Sequence, residues 1–180
     1  KLEGNYKDGK LEGFIQVWHE NGQKKEDGNW KDGKYNGLVF QWYENGQKSL
    51  EAKYKYGGKK EGSRMEWHDN GQKKLEANYK DGKEVGLTTS WYENGQKAEE
   101  ENYRDGKKDG LYTIWRENGQ KGIEGNWKDG KPLSAVVWKP NGEKCPVTNL
   151  KGGNGVVVLY NADGTERSRT TYKDGELVED

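Results

Sequence analysis

Apolar side chains never accumulate along this chain. They come in short runs of strand-like composition, such as Leu87 to Tyr92 ("LTTSWY"), each followed by Asn-Gly and then a more polar run such as Lys97 to Tyr103 ("KAEEENY"). Asn-Gly between two such runs is a strong hairpin signal, because both residues tolerate positive φ. Each pair of runs is therefore expected to form two antiparallel strands. Asp105-Gly106 turns the chain again, and a further glycine recurs at Gly13, Gly37, Gly62, Gly86 and Gly110. A glycine about every ten residues is incompatible with a helical array. The prediction is an antiparallel β-meander.

The hairpins repeat. Trp42 to Lys48 and Trp91 to Lys97 both read "WYENGQK", and variants begin at Trp18, Trp67, Trp115 and Trp138, at spacings of 24, 25, 24, 24 and 23 residues. A second phrase, "NYKDGK" or a close variant, begins at Asn5, Asn29, Asn78, Asn102 and Asn126. A fixed period of this length marks a tandem array. Two aromatic rows follow: Trp18, Trp42, Trp67, Trp91, Trp115, Trp138 and Tyr160 in one, and Tyr6, Trp30, Tyr54, Tyr79, Tyr103, Trp127 and Tyr172 in the other. The expected fold is all-β, an elongated single-layer antiparallel β-meander of about seven tandem 24-residue hairpin repeats. Repeats are regular over 1–133 and degenerate over 134–180, within one continuous array.

Hairpin register decides which face is the core. A two-residue turn at Asn94-Gly95 would put Trp91 and Tyr103 on opposite faces, whereas a three-residue loop with Gly95 bulged puts them together. Burying an aromatic ring contributes on the order of 2 to 3 kcal/mol, which favours the bulged loop and a shared ring face. Ile15, Val17, Val39, Tyr43 and Ile114 make the other face partly apolar as well. Gly28, Ala52, Ala77 and Gly125, two residues before a ring, leave room for close packing.

The phrases "YENGQK" and "NYKDGK", with a glycine before Leu38, Leu87 and Leu111, resemble the bacterial variant of the MORN repeat found in proteins named YwqK-family antitoxins. The resemblance implies a single-layer antiparallel β array. It also implies an antitoxin label, and for eukaryotic relatives an association with scaffolding and lipid binding. The last two repeats depart from the pattern at Pro140, Pro146 and "NLKGGNGVVVLY".

Composition narrows the function. With 31 basic and 31 acidic residues the net charge is zero, so no field draws the chain to nucleic acid or an anionic membrane. Only 29% of residues are hydrophobic, but eight Trp and eleven Tyr at regular intervals argue against disorder. No run approaches the roughly 20 apolar residues of a membrane span. The start at Lys1, without an initiator methionine, favours a secreted, extracellular or periplasmic product over a cytoplasmic one.

Chemistry is sparse. His19 and His68 take the position of Tyr43, Tyr92 and Arg116, roughly 20 Å apart by strand spacing, and read as variants of a surface aromatic site. Cys145 has no cysteine to pair with and reads as a structural thiol. "NADGTE" from Asn161 fails as a calcium loop, because Leu159 and Thr170 fall where carboxylates are required. Glu51, Glu76, Glu100 and Glu124 form one ladder and Lys48, Lys73, Lys97 and Lys121 another, both suited to an exposed sheet. No cofactor, metal or catalytic residue is expected.

A non-enzymatic scaffold for protein–protein association follows, with an antitoxin-like adaptor or a carbohydrate-binding module as alternatives. The ends suggest self-association. Lys1, Leu2 and Tyr6 lie in a strand without its hairpin partner, and Val156, Val157, Val158 and Leu159 form a strand apolar on both faces. A head-to-tail contact between these ends would extend into a filament.

Overall fold

The computed structural model describes residues 1–178, and among them it contains sixteen strands and no helix. The protein is all-β and falls into two compact units, Lys1–Val85 with Glu93–Gly95, and Gly86–Tyr92 with the chain from Gln96. In the first, β1 (Leu2–Lys7), β2 (Lys10–Trp18), β3 (Lys24–Lys31), β4 (Lys34–Trp42), β5 (Lys48–Lys55), β6 (Lys59–Trp67) and β7 (Lys73–Lys80) pair antiparallel in chain order, and β8 (Lys83–Glu84) returns onto β7. In the second, β9 (Gly86–Trp91), β10 (Lys97–Arg104), β11 (Lys107–Trp115), β12 (Lys121–Lys128) and β13 (Lys131–Val137) do the same. Strands β14 (Gly155–Tyr160), β15 (Glu166–Lys173) and β16 (Glu176–Leu177) form a separate three-stranded sheet.

That separate sheet departs from the continuous array expected for 134–180. Pro146, at the position of Leu50, removes an amide donor a further strand would need, whereas Pro140 lies in a loop that still closes, with Lys139 N donating to Glu143 O at 2.8 Å. The segment after β13 instead crosses by isolated bridges, Ser134 to Lys151 and Lys151 to Asn154.

Both turn signals form turns, of different kinds. At Asp32-Gly33 both residues have positive φ, 51° and 76°, the two-residue hairpin turn that Asp-Gly favours. At Tyr43–Gln47 the loop holds three residues: Gly46 N donates to Tyr43 O at 2.9 Å, Tyr43 N donates to Gln47 O at 2.9 Å, and Gly46 has φ 83°. This is the bulged loop the sequence favours. Its consequence is reversed one residue later. Trp91 pairs with Lys97 but Ser90 with Glu99, leaving Ala98 as an extra residue, and Tyr103 lands opposite Gly86. Ser49 is extra in the same way in β5. Trp91 and Tyr103 therefore lie on opposite faces, and the expected shared ring face does not form.

The second bulge brings a large side chain opposite a small one. Across the first unit one row runs Ile15, Gly28, Val39, Ala52, Arg64, Ala77, each paired with the next. Ile15, Val39, Ala52 and Ala77 are at most 1% exposed, so this row, on the Tyr54 face, is the core. A Cβ on Gly28 would lie 3.0 Å from Val39 Cγ2, so the small residues make room for the aliphatic ones. Full burial of such a side chain contributes about 1.5 to 3 kcal/mol.

Candidate functional site

The loop phrase is a set of contacts to the next repeat. Asn45 Oδ1 accepts from Gln47 N at 3.0 Å, closing its own turn, while its Nδ2 donates to Asp69 O in the following loop at 2.7 Å. Asn21 and Asn70 reach Glu44 O and Glu93 O in the same way. Gln23 covers the glycine of the next loop, so closely that a Cβ on Gly46 would lie 2.7 Å from Gln23 Oε1. Tyr43 OH donates to Trp67 O at 2.7 Å, and Tyr92 OH to Trp115 O at 2.7 Å. His19 Nε2 meets Trp42 O at 2.8 Å, so the position read as a neutral surface aromatic carries an inter-repeat hydrogen bond.

The outward face of each unit carries the tryptophan row. Lys24 pairs with Asp27 at 2.7 Å and sits 5.2 Å from the Trp42 ring centroid. Lys48 pairs with Glu51 at 2.7 Å and lies between the rings of Phe40 and Trp67, at 5.2 and 5.3 Å. In the second unit Lys97 pairs with Glu100 and stacks on Trp115, and Lys121 pairs with Glu124 and stacks on Trp138. The expected acidic and basic ladders are thus one ladder of ion pairs. Beside it a large apolar side chain stands exposed at one strand position, Phe14 at 52% and Leu38 at 49%, and in the second unit Leu87 at 46% and Leu111 at 61%.

The inward face carries the other row. Trp30 and Tyr35 have ring centroids 4.3 Å apart, and Tyr35 and Tyr54 5.0 Å. In the second unit two carboxylates stand here, Glu99 and Glu101, at positions held by Leu50 and Ala52 in the first. Glu101 is 5% exposed, accepts from Tyr103 OH at 2.6 Å and is bonded by Lys108 Nζ. Burial, with the hydrogen bond and charge of Glu101, pushes the Glu99 carboxyl up to about 7, against the opposing pull of Lys108. Both line a cavity of about 180 Å³ with Tyr112 and Tyr172. The sequence signal was available, since two acids replace an aliphatic and a small residue at inward positions.

Trp18, Trp42, Trp67, Trp91, Trp115, Trp138 and Tyr160 are half-buried, as are Trp30, Tyr54, Tyr79, Tyr103, Trp127 and Tyr172, whereas Tyr6 is 61% exposed. Leu2 is 45% exposed and every residue of β1 is exposed. The strand of Val156 to Leu159 is already covered, which corrects the end-to-end contact assigned to it. Val158 is fully buried with Val137 and Cys145, and Val156, Val157 and Leu159 pack against that cluster. Cys145 accepts hydrogen bonds from Thr148 N at 3.3 Å and Thr148 Oγ1 at 3.4 Å, and lies 3.1 Å from Tyr160 OH. Burial raises its thiol pKa, but these hydrogen bonds outweigh it and leave the thiol lowered.

Tandem β-hairpins wired loop to loop, with a repeated exposed face, define a β-hairpin repeat protein. The model of a family described as a MORN repeat variant matches three tandem stretches, residues 35–56, 60–81 and 84–105. The chain is similar to that family over those repeats. No match was found among curated proteins. Among the described residues no helix is long and apolar enough to cross a membrane.

Proposed function

We propose that the protein is a non-enzymatic scaffold that docks a protein partner on its outward face. One observation carries this reading: a large apolar side chain stays exposed at the same strand position, Phe14 and Leu38 in one unit, Leu87 and Leu111 in the other. Recurrent exposed apolar area marks interaction surfaces. Lysines of the adjoining ladder are each matched by an acid, so the face favours a partner with apolar contacts over an anionic membrane. MORN repeats are generally associated with scaffolds that bind proteins or membranes, which agrees. End-to-end assembly draws no comparable support, since Val156 to Leu159 are engaged within the chain.

The test is capture from an extract of the source cells, with the wild-type protein and a variant carrying Phe14→Ser, Leu38→Ser, Leu87→Ser and Leu111→Ser. The variant is expected to melt as the wild type does and to lose the captured protein. Equal capture by a folded variant would sink the proposal.

A further inference from the structure

The second unit holds a cleft of about 290 Å³ where β14 and β15 approach the loop ends of β11 and β12. Its floor is apolar, built from Ile114, Ile123, Val137 and Leu159, and its rim carries Arg116 and Arg167. No acidic side chain lines it, and among the described residues neither arginine is in an ion pair. Arg116 Nη2 donates to Trp138 O at 2.9 Å, which is the inter-repeat bond made by Tyr43 and Tyr92 elsewhere. Its Nε is buried and has no hydrogen-bond partner. A neutral tyrosine suffices for the link, so the guanidinium adds a charge beside the covering sheet.

With no carboxylate among the lining residues, an anion entering the cleft meets no competing acid beside the two guanidinium groups. Guanidinium groups favour carboxylates through charge-assisted hydrogen bonds. The volume lies near the lower limit of small-molecule pockets, about 300 Å³, and the floor offers no polar group for a sugar or nucleotide. We propose that this cleft binds a small amphipathic carboxylate, its head at Arg116 and Arg167 and its short hydrocarbon tail over Ile114, Ile123 and Leu159. The Tyr160 hydroxyl is engaged with Cys145 Sγ at 3.1 Å, which leaves the two arginines as the cationic partners of the head group.

Calorimetry with octanoate, octylamine and 1-octanol, together with methyl NMR of the intact chain, tests this. Octanoate is expected to bind saturably at one site, about tenfold or more tighter than the amine or the alcohol, and to shift the methyl signals of Ile114, Ile123, Val137 and Leu159. Arg167 is exposed, so Arg167→Gln keeps the fold and is expected to weaken octanoate several-fold while leaving 1-octanol unchanged. Arg116→Tyr, the residue found at this position in other repeats, is expected to keep the Trp138 link and weaken octanoate more. Equal binding of the three probes, no saturable binding, or shifts centred on Phe14 and Leu38 would overturn the proposal. So would octanoate affinity unchanged by both substitutions.

Discussion

Replacing Glu99 by Leu, the residue at the same position in Leu50 and Leu75, is expected to abolish a pH dependence of stability. The folded carboxyl is raised from 4.5 to about 7, chiefly by burial and by Glu101. At about 1.36 kcal/mol per tenfold change in proton affinity, the full effect is about 3 kcal/mol. Water still reaches part of the side chain, and discounting for that leaves about 2 kcal/mol. The sign follows from proton counting. Between pH 4.5 and 7 the unfolded chain releases this proton while the folded chain keeps it, so stability is full below that window, falls as pH rises through it, and is level above it. Melting followed by circular dichroism at pH 5 and pH 8 reads the effect. The wild type is expected to lose about 4 to 8 °C more than Glu99→Leu between the two pH values. Comparing that loss, not the absolute midpoints, cancels the gain from burying leucine and the titration of groups that do not interact with Glu99, so the difference reads Glu99 together with its partner Glu101. Equal losses in the two proteins would mean that Glu99 is solvated and that the cavity beside Tyr172 does not shape its proton affinity.

Three further outcomes follow from the packing. His19→Ala is expected to cost about 1 kcal/mol by deleting the bond to Trp42 O, and His19→Tyr to be neutral, as measured by urea midpoints; the reverse order would refute the inter-repeat role. Gly46→Ala, at φ 83° with a Cβ 2.7 Å from Gln23 Oε1, is expected to cost about 1 to 3 kcal/mol, and a silent substitution would show that Gln23 does not rest on the loop. Val39→Ala is expected to cost about 2 kcal/mol through the cavity left in a fully buried row, which a matching loss for exposed Leu38→Ala would contradict.

Turns and strands were legible because positive φ restricts the residues that can occupy them, and Asn-Gly and Asp-Gly announce those places. The faces were not. The bulge that sets them falls on Lys25, Ser49, Lys74, Ala98 and Gly122, five positions sharing no side-chain property. An indirect clue existed in the lysine and acid three residues apart, Lys24 with Asp27 and Lys48 with Glu51, since an unbulged strand would send them to opposite faces. Glu99 and Glu101 were legible in principle as misfits at apolar and small positions, but they flank Glu100, which belongs with Glu76 to the outward ladder, and only the register separates the two sets. The separate sheet of β14 to β16 was not, because its placement depends on an inward face that only the correct register defines.

The inter-repeat contacts of the Asn-Gly loops point forward along the chain. Asn21, Gln23, Lys24 and His19 each reach forward to Glu44, Gly46 or Trp42, and Asn45 and Tyr43 reach forward again to Asp69 and Trp67. A loop is therefore read twice, once by its own turn and once by the loop before it. A substitution inside it must satisfy two neighbours, whereas copying a whole period offers every side chain a familiar socket. Such an array changes copy number more easily than it changes spelling, and two loops that still read "WYENGQK" are the expected trace. Toward the degenerate end the reach thins: Asn118 turns its Nδ2 back to Gln120 Oε1 of its own loop, at 3.3 Å, while Arg116 still reaches forward to Trp138 O.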